Sequence, residues 1–293
     1  MLAIICGAGD LPRAVAKEHR PRPIVCALEG FEPDGLEVDI RFRLEQLGSL
    51  FPKLAARGVT RVCLCGRITR PELDISLIDT ATQPLVPQFQ RAIQMGDDGA
   101  LRVVLELFED AGFAVLAAHE ASPALLPAPG VLTGQGPDEF VTADLPLAEA
   151  TLAEMGAADL GQACVLRDGE VVIREDERGT DAMLAELSGA GKDGHDRLSR
   201  ALDAAGDLIG AAAGWLSGQG EPPQGFLYKG PKPDQDRRAD LPVIGPGTAR
   251  AVIAAGLAGV VIEYRGVMVL HREETVSLLN RAGRFLWVRE RGA

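Results

Sequence analysis

The segment from Lys229 to Pro246, KGPKPDQDRRADLPVIGP, carries the densest set of side chains suited to chemistry in this chain. Lys229, Lys232, Asp234, Asp236, Arg237, Arg238 and Asp240 stand among prolines and glycines, so the stretch predicts a shaped loop and not a helix. Cations of this kind hold phosphate oxygens, and carboxylates hold a hard divalent cation or orient a water. The pattern is that of a phosphate–Mg²⁺ site; the competing reading is a solvated, charged turn. The apolar flanks, Phe226-Leu227-Tyr228 before and Leu241-Pro242-Val243-Ile244 after, mark a loop that rises from a core.

Other segments have residue types that fit an anionic ligand. Gly7-Ala8-Gly9 follows an apolar run and precedes a helix that opens at Leu11-Pro12. Exposed amides of such a loop, with the helix N-terminus behind them, make an anion site. A dinucleotide fingerprint would place its third glycine where Pro12 stands, so a mononucleotide or nucleotide-sugar is expected and a nicotinamide cofactor is not. Gly66-Arg67-Ile68-Thr69-Arg70-Pro71 follows the expected strand 59–65, where the loops of an open parallel sheet form a ligand crevice. His119-Glu120 lies past another expected strand, at the same edge. Gly96-Asp97-Asp98-Gly99 reads as an acidic metal site or as the negative first turn of a helix. Gly179-Thr180-Asp181 begins a helix. Thr180 or Asp181 caps that helix, or Asp181 completes a carboxylate cluster with Asp234, Asp236 and Asp240.

The bulk composition bounds these readings. The chain has 293 residues, 46% of them hydrophobic and 25% charged, which suits two globular domains. A net charge of −12 disfavours nucleic acid as a partner without excluding a local basic site. The five cysteines, several inside apolar runs, have no zinc spacing and point to a reducing compartment. Met1 leads directly into an apolar strand and no apolar run approaches the ~18 residues of a membrane span, so a cytoplasmic protein is expected.

Strand and helix periods alternate through the first part of the chain, which predicts an α/β protein of two domains. Residues 1–125 are expected as a Rossmann-like N-terminal domain with a parallel sheet, 126–145 as a linker and 146–293 as a C-terminal α/β domain. Asp168-Gly169 predicts a hairpin between strands 162–167 and 170–174, and Arg265-Gly266 a second one between 260–264 and 267–271. A helix is expected over 145–155. Residues 188–223 read as an inserted helical pair, or as an apolar wall around Leu208, Ile209, Trp215 and Leu216 for a lipid or a membrane surface.

The order and spacing of these segments resemble the UDP-2,3-diacylglucosamine pyrophosphatases of the LpxI type. The likeness covers Gly7-Ala8-Gly9-Asp10-Leu11-Pro12, Gly66-Arg67 with Arg70-Pro71, Gly96-Asp97-Asp98, Ala118-His119-Glu120, Gly179-Thr180-Asp181-Ala182-Met183-Leu184 and the run through Asp240-Leu241-Pro242 to Gly245. The resemblance implies hydrolysis of UDP-2,3-diacylglucosamine to UMP and 2,3-diacylglucosamine 1-phosphate (lipid X) in lipid A synthesis of Gram-negative bacteria. Water attack on the α-phosphorus and Mg²⁺ as cofactor come with it, as do a homodimer and access to substrate at the inner membrane surface. It places catalysis on Asp240, also the metal ligand, with Thr180 and Asp181 in support. Gly7, Ala8, Gly9, Leu11, Pro12, Gly66, Arg67, His119, Lys229, Lys232 and Arg237 become candidate substrate contacts. A UDP-sugar transferase and a non-catalytic nucleotide- or lipid-binding protein stay open as alternatives.

Overall fold

A computed structural model describes residues 1–69, 73–189, 224–233, 235–238 and 240–291. The chain forms two units, Met1–Ala124 with Gln235–Leu241, and Leu125–Asp234 with Pro242–Ala293. The expected features at Arg70, Pro71 and Asp234, and the helical pair or apolar wall of 190–223, lie outside the described residues, as do the side chains at 97 and 98.

The first unit is built on five parallel strands: β1 (Leu2–Cys6), β2 (Ile24–Leu28), β3 (Ile40–Phe42), β4 (Arg61–Cys65) and β5 (Ala114–Leu116). Their order is β3-β2-β1-β4-β5. β1 reads Leu-Ala-Ile-Ile-Cys and is buried throughout, the near-continuous apolar run of a strand covered on both faces. Helices α1 (Leu11–Lys17), α2 (Leu47–Ala56), α3 (Val86–Ile93), α4 (Asp97–Asp110) and α5 (Ala118–Ala121) complete the unit. Leu47, Leu50 and Leu54 of α2 and Leu105 and Phe108 of α4 pack in one core with Ala3, Cys26 and Val62. Phe108 meets Phe51 edge-on at 5.3 Å between ring centroids. α4 starts at Asp97 after an N-cap at Gly96, which favours the helical reading of that acidic pair. The strand expected before His119 is Ala114–Leu116, and His119 sits in the single turn of α5.

The second unit holds a six-stranded mixed sheet. Its strands are β6 (Gly130–Val131), β7 (Ala163–Arg167), β8 (Glu170–Arg174), β9 (Phe226–Lys229), β11 (Gly259–Glu263) and β13 (Phe285–Arg289) in the order β6-β13-β11-β9-β7-β8. β9, β11 and β13 are parallel, while β6, β7 and β8 join antiparallel. Side chains alternate between two cores, as the period of two requires. Cys164, Leu166, Phe226, Tyr228 and Val261 face α6 (Glu139–Ala157) through its Leu145, Ala148 and Leu152. Val165, Leu227, Val260 and Ile262 face the other way, toward α7 (Thr180–Leu187), α8 (Pro246–Ala254) and α9 (Arg272–Arg281).

Two expectations are corrected here. The segment expected as a linker is structured: β6 pairs with β13, and α6 begins six residues earlier than expected, capped by the Asp138 carboxylate on the Val141 amide at 3.0 Å. The hairpin expected through Arg265-Gly266 does not form. The turn does, with the Gly266 amide 3.0 Å from the Glu263 carbonyl. Both edges of β11 are already taken by β9 and β13, so β12 (Met268–Val269) pairs instead with β10 (Val243–Ile244). The Asp168-Gly169 hairpin is present as β7–β8. Among the described residues no helix is long and apolar enough to cross a membrane. All five cysteines are free and buried, and burial pushes the Cys26 and Cys164 thiols up to about 12.

Candidate functional site

In the first unit the chain leaves β1 in one direction along the sheet and returns to β4 on the other side, so the carboxyl ends of β1 and β4 flank the topological switch point. The loops there are clasped together. The Ala8 amide donates to the Arg67 carbonyl and the Arg67 amide to the Ala8 carbonyl, both at 2.8 Å, and the Gly7 amide reaches Cys65 at 2.9 Å. Glycine is required by proximity: a Cβ on Gly7 would lie 2.5 Å from the Arg67 carbonyl oxygen, and one on Gly66 2.5 Å from that of Gly7. The open amide cradle expected at Gly7 and Ala8 is therefore corrected, because both N–H groups are used within the protein. Gly9 follows, its carbonyl taking the Asp34 amide at 3.2 Å. Leu11 and buried Pro12 form the first turn of α1, where a missing N–H costs nothing.

Cationic and neutral donors surround this edge. Arg67 is exposed, and no ion pair joins it to a carboxylate among the described residues; the same holds for Arg237. His119, in α5 beside β4 and α1, has its Nδ1 buried without a hydrogen-bond partner. Burial holds its imidazole below the ordinary 6.5; Glu120 opposes this and Arg237 adds to it. The ring is therefore neutral near pH 7, able to donate a hydrogen bond without a full charge.

The segment Gln235–Leu241 belongs to this unit. Arg238 fixes it: Nη2 lies 2.8 Å from Asp236 Oδ2, Nε 3.0 Å from Asp236 Oδ1, and Nη1 2.6 Å from Glu109 Oε1 on α4. That fork is a bidentate pairing, and it holds the Asp236 carboxyl below its ordinary value. Asp236 thus shapes the loop. The Asp240 amide closes the turn on the Asp236 carbonyl at 3.2 Å, and the Asp240 carboxylate accepts from the side-chain amide of buried Gln235.

The second unit has its own polar cluster. Lys229 ends β9 and is 7% exposed; Thr180, the first residue of α7, is 8% exposed. Thr180 does not cap the helix, since the N-cap is Gly179 and carries no side-chain bond. Its hydroxyl instead donates to Glu175 Oε1 at 2.7 Å and accepts from Lys229 Nζ at 2.6 Å. Asp181 is exposed on the same turn. Lys232, expected on a phosphate, is paired with Asp159 at 2.7 Å. Asp234, one member of the expected carboxylate cluster, lies outside the described residues; among the described residues no three His, Cys, Asp or Glu side chains come together to hold a metal ion. Glu175, Gln235 and Glu109 were not singled out by the sequence. Glu175 had one signal, a carboxylate directly after the alternating strand β8, but its burial depends on β7 and α7 closing over it.

Comparison with known proteins joins the two units. The family model of the LpxI N-terminal domain matches residues 1–125, and that of the LpxI C-terminal domain residues 128–287. A protein of Caulobacter vibrioides (strain ATCC 19089 / CIP 103742 / CB 15) named UDP-2,3-diacylglucosamine pyrophosphatase LpxI is 32% identical over 292 residues, covering 97% of this chain and 96% of its own length. With both domain models matched in order and a relative alike from end to end, the chain belongs to the LpxI family.

Proposed function

We infer that the protein hydrolyses the pyrophosphate of UDP-2,3-diacylglucosamine to UMP and 2,3-diacylglucosamine 1-phosphate (lipid X), a step of lipid A synthesis. The observation that carries this reading is the end-to-end likeness to the Caulobacter vibrioides protein whose name states that activity. The side chains support it. A pyrophosphate diester carries negative oxygens that repel a nucleophile, so hydrolysis needs placed positive charge and donors. The first unit offers Arg67, Arg237 and neutral His119 for UMP, at the end of the sheet where nucleotides bind. In the second, Lys229 is the proposed contact for a phosphate, its ammonium held by the Thr180 hydroxyl with Asp181 exposed on the same turn; Lys232 is already paired to Asp159.

In the proposed reaction a water oxygen bonds to the α-phosphorus and the bond from that phosphorus to the bridging oxygen breaks. The bridging oxygen leaves with the sugar phosphate. Asp240 orients the water and takes its proton, and the Gln235 amide fixes the carboxylate for that task. The reading includes Mg²⁺, which keeps several waters and is commonly held by one or two carboxylates plus substrate phosphates. Asp240 would hold it, and when bound it would neutralise pyrophosphate charge. The reading also carries a cytoplasmic homodimer that meets its diacyl substrate at a membrane surface.

The test is UMP release by the purified chain from UDP-2,3-diacylglucosamine in mixed micelles, with Mg²⁺ or excess chelator, in H₂¹⁸O. Asp240→Ala should lose activity by about a hundredfold or more, and the label should enter UMP. Near-normal turnover by folded Asp240→Ala refutes the catalytic role. Full activity in chelator refutes the metal, and label in the sugar phosphate refutes the site of attack. A glycosidic product in place of UMP would mark a transferase.

A further inference from the structure

Glu175 follows β8 and is 9% exposed. A buried carboxylate is costly unless its oxygens are bonded, and both are. Oε2 accepts the Gln162 amide at 2.6 Å, and Oε1 accepts the Thr180 hydroxyl at 2.7 Å. A hydroxyl has one proton and two lone pairs. With its proton committed to Glu175, the Thr180 oxygen turns its lone pairs to other donors, and Lys229 Nζ lies 2.6 Å away. Carboxylate, hydroxyl and ammonium thus form a directed chain of two hydrogen bonds. It ends at the carboxyl end of β9, in the parallel part of the sheet. Without the carboxylate the hydroxyl proton would be free to swing toward the ammonium and oppose it.

We propose that Glu175 is a positioning residue for phosphate recognition: it orients the Thr180 hydroxyl and so aims the Lys229 ammonium at a phosphate of the substrate. This rests on the hydrolase reading and extends it to a residue that touches no substrate. Glu175→Gln keeps the shape but replaces one acceptor oxygen by a donor, so either the Gln162 amide or the Thr180 hydroxyl loses its acceptor. Thr180→Val removes the hydroxyl and keeps the volume.

The experiment measures kcat/KM for UMP release, thermal stability and the side-chain ammonium NMR signal of Lys229 in ¹⁵N-lysine-labelled full-length protein, assigned by its loss in Lys229→Arg. Glu175→Gln and Thr180→Val should each lower kcat/KM by about tenfold to a hundredfold, the rate equivalent of one misaligned buried hydrogen bond. The double variant should fall no further than Thr180→Val alone, because the two act as one unit. In Glu175→Gln the Lys229 ammonium signal should broaden or vanish through faster hydrogen exchange. Wild-type kcat/KM in Glu175→Gln, a multiplicative loss in the double variant, or a loss accounted for wholly by a smaller folded fraction overturns the proposal. If the wild type releases no UMP, the hydrolase reading fails. The NMR signal then decides the positioning role: its loss in Glu175→Gln upholds it and an unchanged signal overturns it.

Discussion

The clasp between the β1 and β4 loops makes a quantitative prediction. Gly66→Ala places a methyl group 2.5 Å from the Gly7 carbonyl oxygen, on a residue whose φ is +99°. Two costs add. The strained backbone at positive φ costs about 1–3 kcal/mol for a residue with a side chain. Relieving the clash by backbone movement costs about 1–3 kcal/mol more, as overpacking does elsewhere. Reduced freedom of the unfolded chain returns about 0.4–1 kcal/mol, so the net loss should be about 2–5 kcal/mol. Gly9→Ala supplies the control within the same loop. Its φ is +97°, yet nothing lies within 4 Å of the added methyl, so only the backbone cost applies. It should lose about 1–2 kcal/mol by the same accounting. The assay is urea unfolding read by hydrogen exchange at the amides of Leu2–Cys6 and Arg61–Cys65, which report the first unit. A midpoint shift at unchanged slope reports stability alone. Equal losses in the two variants would refute the clasp as a site of close contact, and no loss in either would refute the backbone geometry as well.

Two further outcomes follow from the charges of the same unit. Arg238 holds the Asp236 carboxyl below its ordinary 3.8, so the folded form prefers the ionised acid. The anchoring of the Asp240 loop is then present in full above 3.8 and is lost only as pH falls through the lower, folded value. Arg238→Ala should bring the Asp236 titration back toward its ordinary value by ¹³C NMR and lower kcat for UMP release; an unmoved Asp236 titration would contradict the fork. His119 should titrate below 6.5 by ¹H–¹⁵N NMR, its stabilisation complete above 6.5 and declining as pH drops below it, because the unfolded chain takes the proton first. Arg237→Ala should raise that titration but leave it below the ordinary value, since burial is the larger cause; a full return to 6.5 would show that charge dominates instead.

The centre of the first unit was legible because β1, β2 and β4 are covered on both faces and therefore read as apolar runs. β1 is the apolar run that precedes Gly7. Hairpin chemistry was legible at Asp168-Gly169, where the turn and the pairing are both local. At Arg265-Gly266 the same local signal was true of the turn and false of the pairing. Strand partners depend on which edges remain open, and β9 and β13 come from segments well before and after β11. The helix expected from 145 begins at Glu139, because the Asp138 cap sets its start, and Pro146 sits inside it.

Residue chemistry and chain order were enough to name Thr180, Lys229, Arg67, His119 and Asp240 as candidates, because charged and hydroxyl groups next to glycines and strand ends are visible in one dimension. Their partners were not visible. Thr180 and Lys229 are 49 positions apart, and they meet because β9 pairs with β7 while α7 opens against the same sheet. Glu175 became a ligand of that pair through burial, which no local pattern encodes. In the first unit the Gly7-Ala8 amides looked available for an anion; the fold gave them to Cys65 at the end of β4 and to Arg67 in the loop after it, because the two loops at the switch point pass within contact distance. Composition and order set the inventory of groups, and long-range packing selected which ones face each other.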